Sequence, residues 1–531
     1  MPDDKNDPVD LAIASRVQYL ESDAPLSGSI IWKLQQDYYA QRGLKAWTED
    51  HVPSFITSNP FIAEIYAQII AAYLDDCIGR ASEGPSLSTE NPLRILELGA
   101  GTGKFSYLFL RHIVRLLNEK GLSPQIIHYR ISDCSESLLK EWRGNGHLAE
   151  FVSAGILEFH LLRAGEEQQS QKIKGPLVVV ANYVFDSLPQ DAFTISAGRI
   201  SEALITTTCA TEDSDVHSLS NLQFSFKNIP VPPDRYAEKT WNTILQQYRD
   251  DVPAATVLFP SAALNLVQQL GDSCGGDMLL LAADKGILRE DDLSLLQGVP
   301  AFEFHAGNRC FSQMVNFDAI AKYFTAQGGE ALLPEKHFSN LNICAFFVRR
   351  SGNKCAATRK VYEQIMAAFG PDDLFALMSW LNAHLGEVSV VQALALLRLT
   401  RWDTTAFLRL FPALARQVRN AAAERRDLWD AIQKVWANHY PVTPDENVLA
   451  FNCGVLLLEL SFFAEALDMF KASEQVFGRS AATSYNLGLC SMGLGNPAEA
   501  LAYMREACQQ DPGFGPAQAA LVKLENEHSS V

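Results

Sequence analysis

The sequence predicts an α/β domain with a mostly parallel sheet, followed by an all-α domain of helical repeats. Three observations carry this. Apolar bursts of strand length alternate with helical patterns up to about residue 350. A glycine loop, "RILELGAGTGKF" (Arg94–Phe105), contains the first of these bursts. Beyond residue 360 the periodicity is helical, and two segments repeat at a fixed offset.

Size and charge narrow the possibilities further. A chain of 531 residues exceeds one ordinary core, so two or more domains are expected. Its 47% hydrophobic and 20% charged content is that of a globular protein. The formal net charge of −18 opposes phosphate backbones, so no nucleic acid partner is expected. Ten cysteines run from Cys77 to Cys508 with no C-x-x-C pair, which reads as reduced thiols rather than a zinc module or a disulfide scaffold. The start, "MPDDKNDPVD", is neither a secretory signal nor an Arg-rich transit peptide. No apolar run approaches the roughly 20 residues of a membrane span, so no membrane association and a cytoplasmic location are expected.

Residues 1–90 mix helical patterns with polar turns and form an expected N-terminal helical extension, closing in the loop "ASEGPSLSTENP". "RILEL" is the first strand. The helix "FSYLFLRHIVRLLNEKG" follows, with Gly121 placed to stop it. "QIIHYRISD" is the second strand, and "LVVVAN" and "MLLLAAD" are continuous apolar runs suited to strands covered on both faces. "FTISAGRISEALITT" reads as a hairpin turning at Ala197-Gly198, and "NICAFFVRR" closes a domain spanning 91–350. The polar stretch Arg350–Lys360 is an expected linker.

Residues 361–531 form the expected helical domain. "FNCGVLLLELSFFAEALDMF" and "YNLGLCSMGLGNPAEALAYM" match each other: Gly454 and Gly488 stand 34 positions apart, as do Ala466 and Ala500, and Phe470 and Met504. That is the tetratricopeptide period, clearest over 447–512, and the second copy adds Leu487, Ala507 and Pro512. Such repeats are expected to hold a protein partner, with a helical cap that binds nothing as the other reading.

The glycine loop excludes one ligand class and ranks the others. A P-loop needs G-x-x-x-x-G-K followed by Ser or Thr, yet Phe105 follows Lys104 and Leu98 stands where the first glycine belongs. A dinucleotide loop wants G-x-G-x-x-G, whereas Gly99, Gly101 and Gly103 are spaced one residue too tightly. The stretch resembles instead the first motif of the class I S-adenosylmethionine-dependent methyltransferases, E/D-x-G-x-G-x-G. The resemblance implies a Rossmann-like sheet and S-adenosyl-L-methionine as cofactor. Physically, Glu97 ends a strand and offers a carboxylate to a cationic amino acid group. Gly99 and Gly101 let backbone approach the ligand without a Cβ. Asp133 ends the second strand, where its oxygens can accept two ribose hydroxyls.

Further stretches are similar to one methyltransferase family, the MidA-like proteins. "ANYVFDSLPQDAF" (Ala181–Phe193) resembles its "NEFFDALP", "VPSFITSNPFIAEIYAQII" its "GDFVTSPEIS" with the helix that follows, "LLLAADKGI" its "IDYG", and "MVNFDAI" its "HVDFTAL". Glu202 in the hairpin also falls where the family places a glutamate. Together these cover about residues 27–350 in the family's order. The resemblance implies methylation of a protein, with arginine as the target. Asp186 is then the candidate catalytic acid, or alternatively a turn or cap residue. Asn182 is a candidate to steer the substrate or the cofactor's amino acid end. Thr57 either bonds the cofactor's carboxylate or forms a plain ST-turn. The chain departs from the family at Tyr183, where it has glutamate, at Lys285, where it has tyrosine, and at Val52-Pro53, where it has Gly-Asp. Two alternatives therefore stand beside the enzyme acting on protein: a non-catalytic cofactor-binding scaffold and a small-molecule methyltransferase.

Two decoys fall away. "GDSCGG" around Ser273 has a helix before it and a strand after it, the reverse of a nucleophile elbow. His305 and His337 lack metal-ligand spacing, and no metal site is expected.

Overall fold

A computed structural model describes residues 17–49, 52, 55–78, 87–162, 173, 175–210, 219–336, 339–349 and 355–528. The N-terminal decapeptide, Pro53 and His337 lie outside the described residues. Among the described residues no helix is long and apolar enough to cross a membrane, and all ten cysteines are free thiols.

β1 (Val17–Ala24) opens the described chain, followed by β2 (Leu93–Leu98), β3 (Ile127–Asp133), β4 (Leu157–Leu161) and β5 (Leu177–Asn182). A meander comes next: β6 (Asp191–Ser196), β7 (Arg199–Ala210), β8 (Leu222–Pro230) and β9 (Ala254–Phe259). β10 (Met278–Asp284) precedes four short strands, β11 (Gly286–Ile287), β12 (Glu303–His305), β13 (Cys310–Ser312) and β14 (Val315–Asn316). β15 (Glu330–Leu332) and β16 (Asn342–Val348) complete the set.

The seven-stranded sheet has the order β15-β16-β10-β5-β2-β3-β4. β10, β5, β2, β3 and β4 are parallel, and β16 runs antiparallel between β10 and β15. The chain steps outward from β2 to β3 and β4, then returns to β5 on the other side of β2. That reversal is a topological switch point, and ligands of such sheets sit outside the carboxyl ends of the strands there. β2, β5 and β10 are largely apolar, as parallel strands covered on both faces are, with Glu97, Asn182 and Asp284 at or near their carboxyl ends; every residue of β10 is buried.

The predicted hairpin is β6 and β7, turning at Ala197 and Gly198, both at positive φ. It belongs to a second, antiparallel sheet, β1-β7-β6-β9 with β8 on β7. The N-terminal extension is thus not purely helical: β1 pairs with β7, a contact across almost 190 residues that no local pattern announces. The expected linker is also partly helical, since a helix starts at Ala356.

Two compact units partition the chain. The first comprises Met1–Ser54, Ile69–Gly101 and Lys120–Ala367; the second comprises Phe55–Gln68, Thr102–Glu119 and Ala368–Val531. The contiguous segments expected from sequence are therefore interleaved. Aromatic packing explains why the helix Lys104–Glu119 joins the second unit: Phe105 meets Tyr66 edge-on at 5.3 Å and Tyr107 meets Tyr440 at 5.3 Å. Within that unit the repeats form antiparallel helix pairs, Leu449–Glu459 with Phe463–Phe477 and Ala481–Gly493 with Pro497–Gln510.

Candidate functional site

The glycine stretch leaves β2 as a left-handed turn. Gly99, Gly101 and Gly103 have φ of +59°, +54° and +77°, a region L side chains reach only at a cost. Space is short as well: a Cβ at Gly99 would come within 3.1 Å of Val184, and one at Gly101 within 3.0 Å of the Trp47 ring. The loop is pinned from β3, because Ala100 N donates to the Ser132 carbonyl (2.9 Å) and Ser132 Oγ to the Glu97 carbonyl (2.6 Å). Trp142 Nε1 donates to the Gly101 carbonyl at 3.1 Å.

Two acids flank this turn. Glu97 is buried, and its Oε2 accepts the Tyr129 hydroxyl at 2.7 Å. Asp133 Oδ2 accepts Gly101 N–H at 3.1 Å and Oδ1 accepts Ser135 N–H at 3.2 Å. Burial pushes the Asp133 carboxyl up, while these backbone donors pull it back. Cys134 also donates to this carboxylate, so the acid latches the loop and presents an acceptor beside it. A glycine cradle that any Cβ would crowd, between two strand-end carboxylates, fits an adenosyl group carrying a cationic amino acid. The structure thus brings Glu97, Gly99, Gly101 and Asp133 together in the first unit. Gly103 lies in the second unit, as does Thr57, buried in the turn before helix Pro60–Ile78.

Across the switch point, β5 ends in Asn182. Tyr183 follows at φ +51°, its N–H donating to the Ala283 carbonyl (2.9 Å) and its hydroxyl to the Asn340 carbonyl (3.0 Å). Asp186 sits inside the single 3-10 turn Phe185–Ser187, and its carboxylate accepts Ser187 Oγ at 2.9 Å. Asp284, at the end of β10, faces the same turn and accepts Phe185 N–H at 3.2 Å through Oδ2. Its Oδ1 is buried with no hydrogen-bond partner among the described residues. Burial lifts Asp186 to about 7, against a lowering by the Ser187 hydroxyl. Burial and then repulsion from Asp186 hold Asp284 well above the carboxylate range.

The surroundings are rich in acceptors. Gln190 Oε1 and Gln313 Oε1 are likewise buried and unpartnered among the described residues. Gln313 N–H donates to the Asp186 carbonyl (2.9 Å), and Gln190 Nε2 to the Met314 carbonyl (3.4 Å). Lys285 is bound to Glu303 at 2.7 and 2.9 Å. His305 pairs with Ser312 Oγ at 3.0 Å, a structural role. The helix Ile30–Arg42 runs past this acid turn, anchored by Trp32 on Phe311 with ring centroids 4.8 Å apart. Gln35 bonds the Ser187 carbonyl (3.4 Å) and Phe311 N–H (2.7 Å). Tyr39 is close enough to Cys310 and Asp186 for their charges, after burial, to raise its phenol.

Sequence reasoning missed Asp284, Gln35, Tyr39 and Trp47. Only Asp284 had a signal available: two apolar runs destined for neighbouring parallel strands end in Asn182 and Asp284, and β5 and β10 pair Asn182 with Ala283.

Residues 80–295 match the family model described as putative S-adenosyl-L-methionine-dependent methyltransferase, and residues 481–514 match a tetratricopeptide repeat. No curated protein matches the chain significantly. Among solved structures, an uncharacterised superfamily protein from Burkholderia thailandensis is 16% identical, covering 63% of this chain and 89% of its own, with TM-score 0.39. A candidate methyl transferase of that superfamily and organism, bound to S-adenosyl-homocysteine, is 16% identical, covering 59% and 80%, with TM-score 0.38.

Proposed function

We propose that this chain is an S-adenosyl-L-methionine-dependent methyltransferase, a reading supported by the match of residues 80–295, and that it transfers the methyl group to a side-chain nitrogen of a partner protein. The observation that carries the acceptor class is the buried Asp186–Asp284 pair, set in a wall of unpartnered acceptors. Such a wall is costly when empty and suits a group rich in N–H donors. Arginine is the acceptor that the MidA-like resemblance implies, and a planar guanidinium pairs with a carboxylate through two parallel N–H donors.

In this reading Glu97 holds the cofactor's ammonium, Asp133 its ribose, and Gly99 and Gly101 its backbone-facing edge. The bound cofactor supplies an electrophilic methyl group on a sulfonium. Asn182 orients the incoming nitrogen. Asp186 accepts the proton which that nitrogen gives up as its new N–C bond forms, and Asp284 keeps the pair singly charged. A carboxyl near 7 is well matched to this work, since both protonation states are populated at neutral pH. The tetratricopeptide repeat would recruit the protein that carries the acceptor.

One observation favours a second reading. The family's carboxylate position is Tyr183 here, and its hydroxyl is committed to the Asn340 carbonyl. With fewer carboxylates for a guanidinium, a simple amine, on a protein or a small molecule, becomes the competing acceptor.

The test is transfer of labelled methyl from S-adenosylmethionine to arginine peptides, lysine peptides and free amines. Asp186→Asn should lower kcat by about 10²–10⁴ with cofactor affinity unchanged. In the wild type kcat should rise with pH through about 7, as Asp186 loses its proton. Methylation of none of the acceptors by a cofactor-bound wild type would instead favour a scaffold.

A further inference from the structure

One face of the helix Ile30–Arg42 runs from one half of the site to the other. Gln35 and Tyr39 stand four positions apart on it, and Gly43 follows four further on as its C-cap. The first end of this face is fixed at the acid turn. Gln35 is buried, donates to the Ser187 carbonyl at 3.4 Å and accepts Phe311 N–H at 2.7 Å. The other end is fixed beside the cofactor acid: Gly43 is seated so closely on the Ser137 side chain that a Cβ would overlap its Oγ. Ser135, which lies at the same spot, has its N–H held by Asp133. From Gln35 to Gly43 the helix rises about 12 Å. β5, β2 and β3 are neighbours in that order and together span about 10 Å. The helix face therefore crosses the carboxyl edge of the sheet from the end of β5 to the end of β3, and Tyr39, midway, comes to the switch point. All these residues belong to the first unit.

Tyr39 is held from two sides. Its hydroxyl bonds the Cys310 thiol at the start of β13. Just beyond that strand, Gln313 N–H donates to the Asp186 carbonyl at 2.9 Å. On its other side the Tyr39 ring continues into Trp47, with centroids 6.1 Å apart and planes at 33°, and the Trp47 ring closes on Gly101. An aromatic wall thus joins the acid turn to the cofactor turn. Both of its rings are half-buried, so part of their surface stays open. Burial first, then Cys310 and Asp186, raise the phenol well above its ordinary range, so what it offers a ligand is a neutral ring. Carboxylates in the acid turn and π faces in the wall share one preference, since each attracts a cation. An uncharged group of the same shape gains far less from either.

We propose that Tyr39 is a specificity-determining residue of the acceptor site: its ring, continued by Trp47, is the wall beside the acid turn that selects an acceptor nitrogen carried in a cationic group. This rests on the acceptor reading above. The guanidinium or ammonium lies between the ring and the Asp186 carboxylate, and a neutral amide or urea of equal size is disfavoured.

The test is calorimetric binding of three small probes to the full chain saturated with S-adenosyl-homocysteine. Two are cations, N-acetyl-arginine amide and N-acetyl-lysine amide, and the third, N-acetyl-citrulline amide, has the shape of the first without its charge. The chain is compared as wild type, Tyr39→Leu, Tyr39→Phe and the control Gln41→Ala, an exposed residue on the far side of the same helix. Leucine keeps apolar surface but has no ring quadrupole, so Tyr39→Leu should weaken the better-bound cation about 5–30-fold and citrulline amide little. Tyr39→Phe should restore most of that loss, and Gln41→Ala should bind like wild type. S-adenosyl-homocysteine affinity should change little in all of them. If Tyr39→Leu fails to fold, Tyr39→Gln carries the same comparison. Unchanged cation affinity in the folded variant, an equal loss for citrulline amide, or a Tyr39→Phe as weak as Tyr39→Leu overturns the proposal and leaves the acceptor reading standing. A wild type that binds neither cation overturns the acceptor reading itself and, with it, this one.

Discussion

Gly101 is where three demands meet at one residue. Its φ of +54° is left-handed, its N–H is committed to Asp133 and its Cα faces the Trp47 ring. An alanine there suffers backbone strain of about 1–2 kcal/mol and a Cβ 3.0 Å from the indole. The two costs can be separated. Gly101→Ala should weaken S-adenosylmethionine binding severely, and adding Trp47→Ala should relieve the contact but not the strain, so only part of the affinity returns. Asp133→Asn keeps the shape but turns one acceptor into a donor facing the Ser135 N–H, and should cost about 1.5–3 kcal/mol of cofactor affinity. Calorimetry on the three variants checks this. Wild-type affinity in Asp133→Asn would mean that the acid serves only to latch the loop.

The helical pairs make the corresponding case at the scale of elements. Their 34-residue register puts Gly454 against Phe470 and Gly488 against Met504, where a Cβ would come within 2.8 Å of the facing side chain in each case. The neighbours differ in what they can yield. Phe470 is fully buried and held edge-on by Phe451 at 5.5 Å, whereas a methionine methyl swings aside at little cost. Alanine also gains about 1 kcal/mol over glycine within a helix. Gly488→Ala should therefore be nearly neutral, and Gly454→Ala should lose about 1–2 kcal/mol net of that gain. Denaturant melts followed by circular dichroism give the order, and the reverse order would show that Phe470 yields more readily than its packing implies. That register was legible in the sequence because small residues at a fixed period report directly on helix contact. β2, β5, β10 and β16 were legible for a similar reason, being mostly apolar runs, and β3 by the alternation of apolar and polar residues in "IHYRISD". β1 and β8 were not: "VQYLESDA" and "LQFSFKNIP" are largely polar and exposed, and only pairing with β7 makes them strands. The site divides the same way. Glu97, the glycines and Asp133 follow from spacing along two neighbouring strands, while Gln35, Tyr39 and Trp47 come from a distant segment whose contacts no local pattern encodes.

Over the whole molecule, the buried charges oppose one another in their response to pH. Asp133, Asp186, Asp284 and Asp403 all have carboxyls raised, with burial the first cause in each. A raised acid keeps its proton in the folded chain after the unfolded chain has lost it, so its contribution to stability falls as pH climbs; for Asp186 the window runs from 3.8 to about 7. His112 acts in the opposite sense. Burial and then the charge of Arg115 lower it from 6.5 to about 4, so the unfolded chain takes up that proton first and stability falls as pH drops through this window. The net charge of −18 adds self-repulsion on the alkaline side. The cofactor-free chain should therefore lose stability from pH 6 to pH 8, with its thermal midpoint lower at pH 8. Asp284→Asn tests the cause: asparagine can still accept Phe185 N–H, yet it has no charge to bury. Its advantage over wild type should grow from pH 5 to pH 8, with a shallower fall of its own midpoint between them. A wild-type midpoint that rises from pH 6 to 8, or a variant less stable than wild type at pH 8, would mean that Asp284 is held ionised in the folded chain. Asp186 would then have to take up the substrate's proton beside a full negative charge.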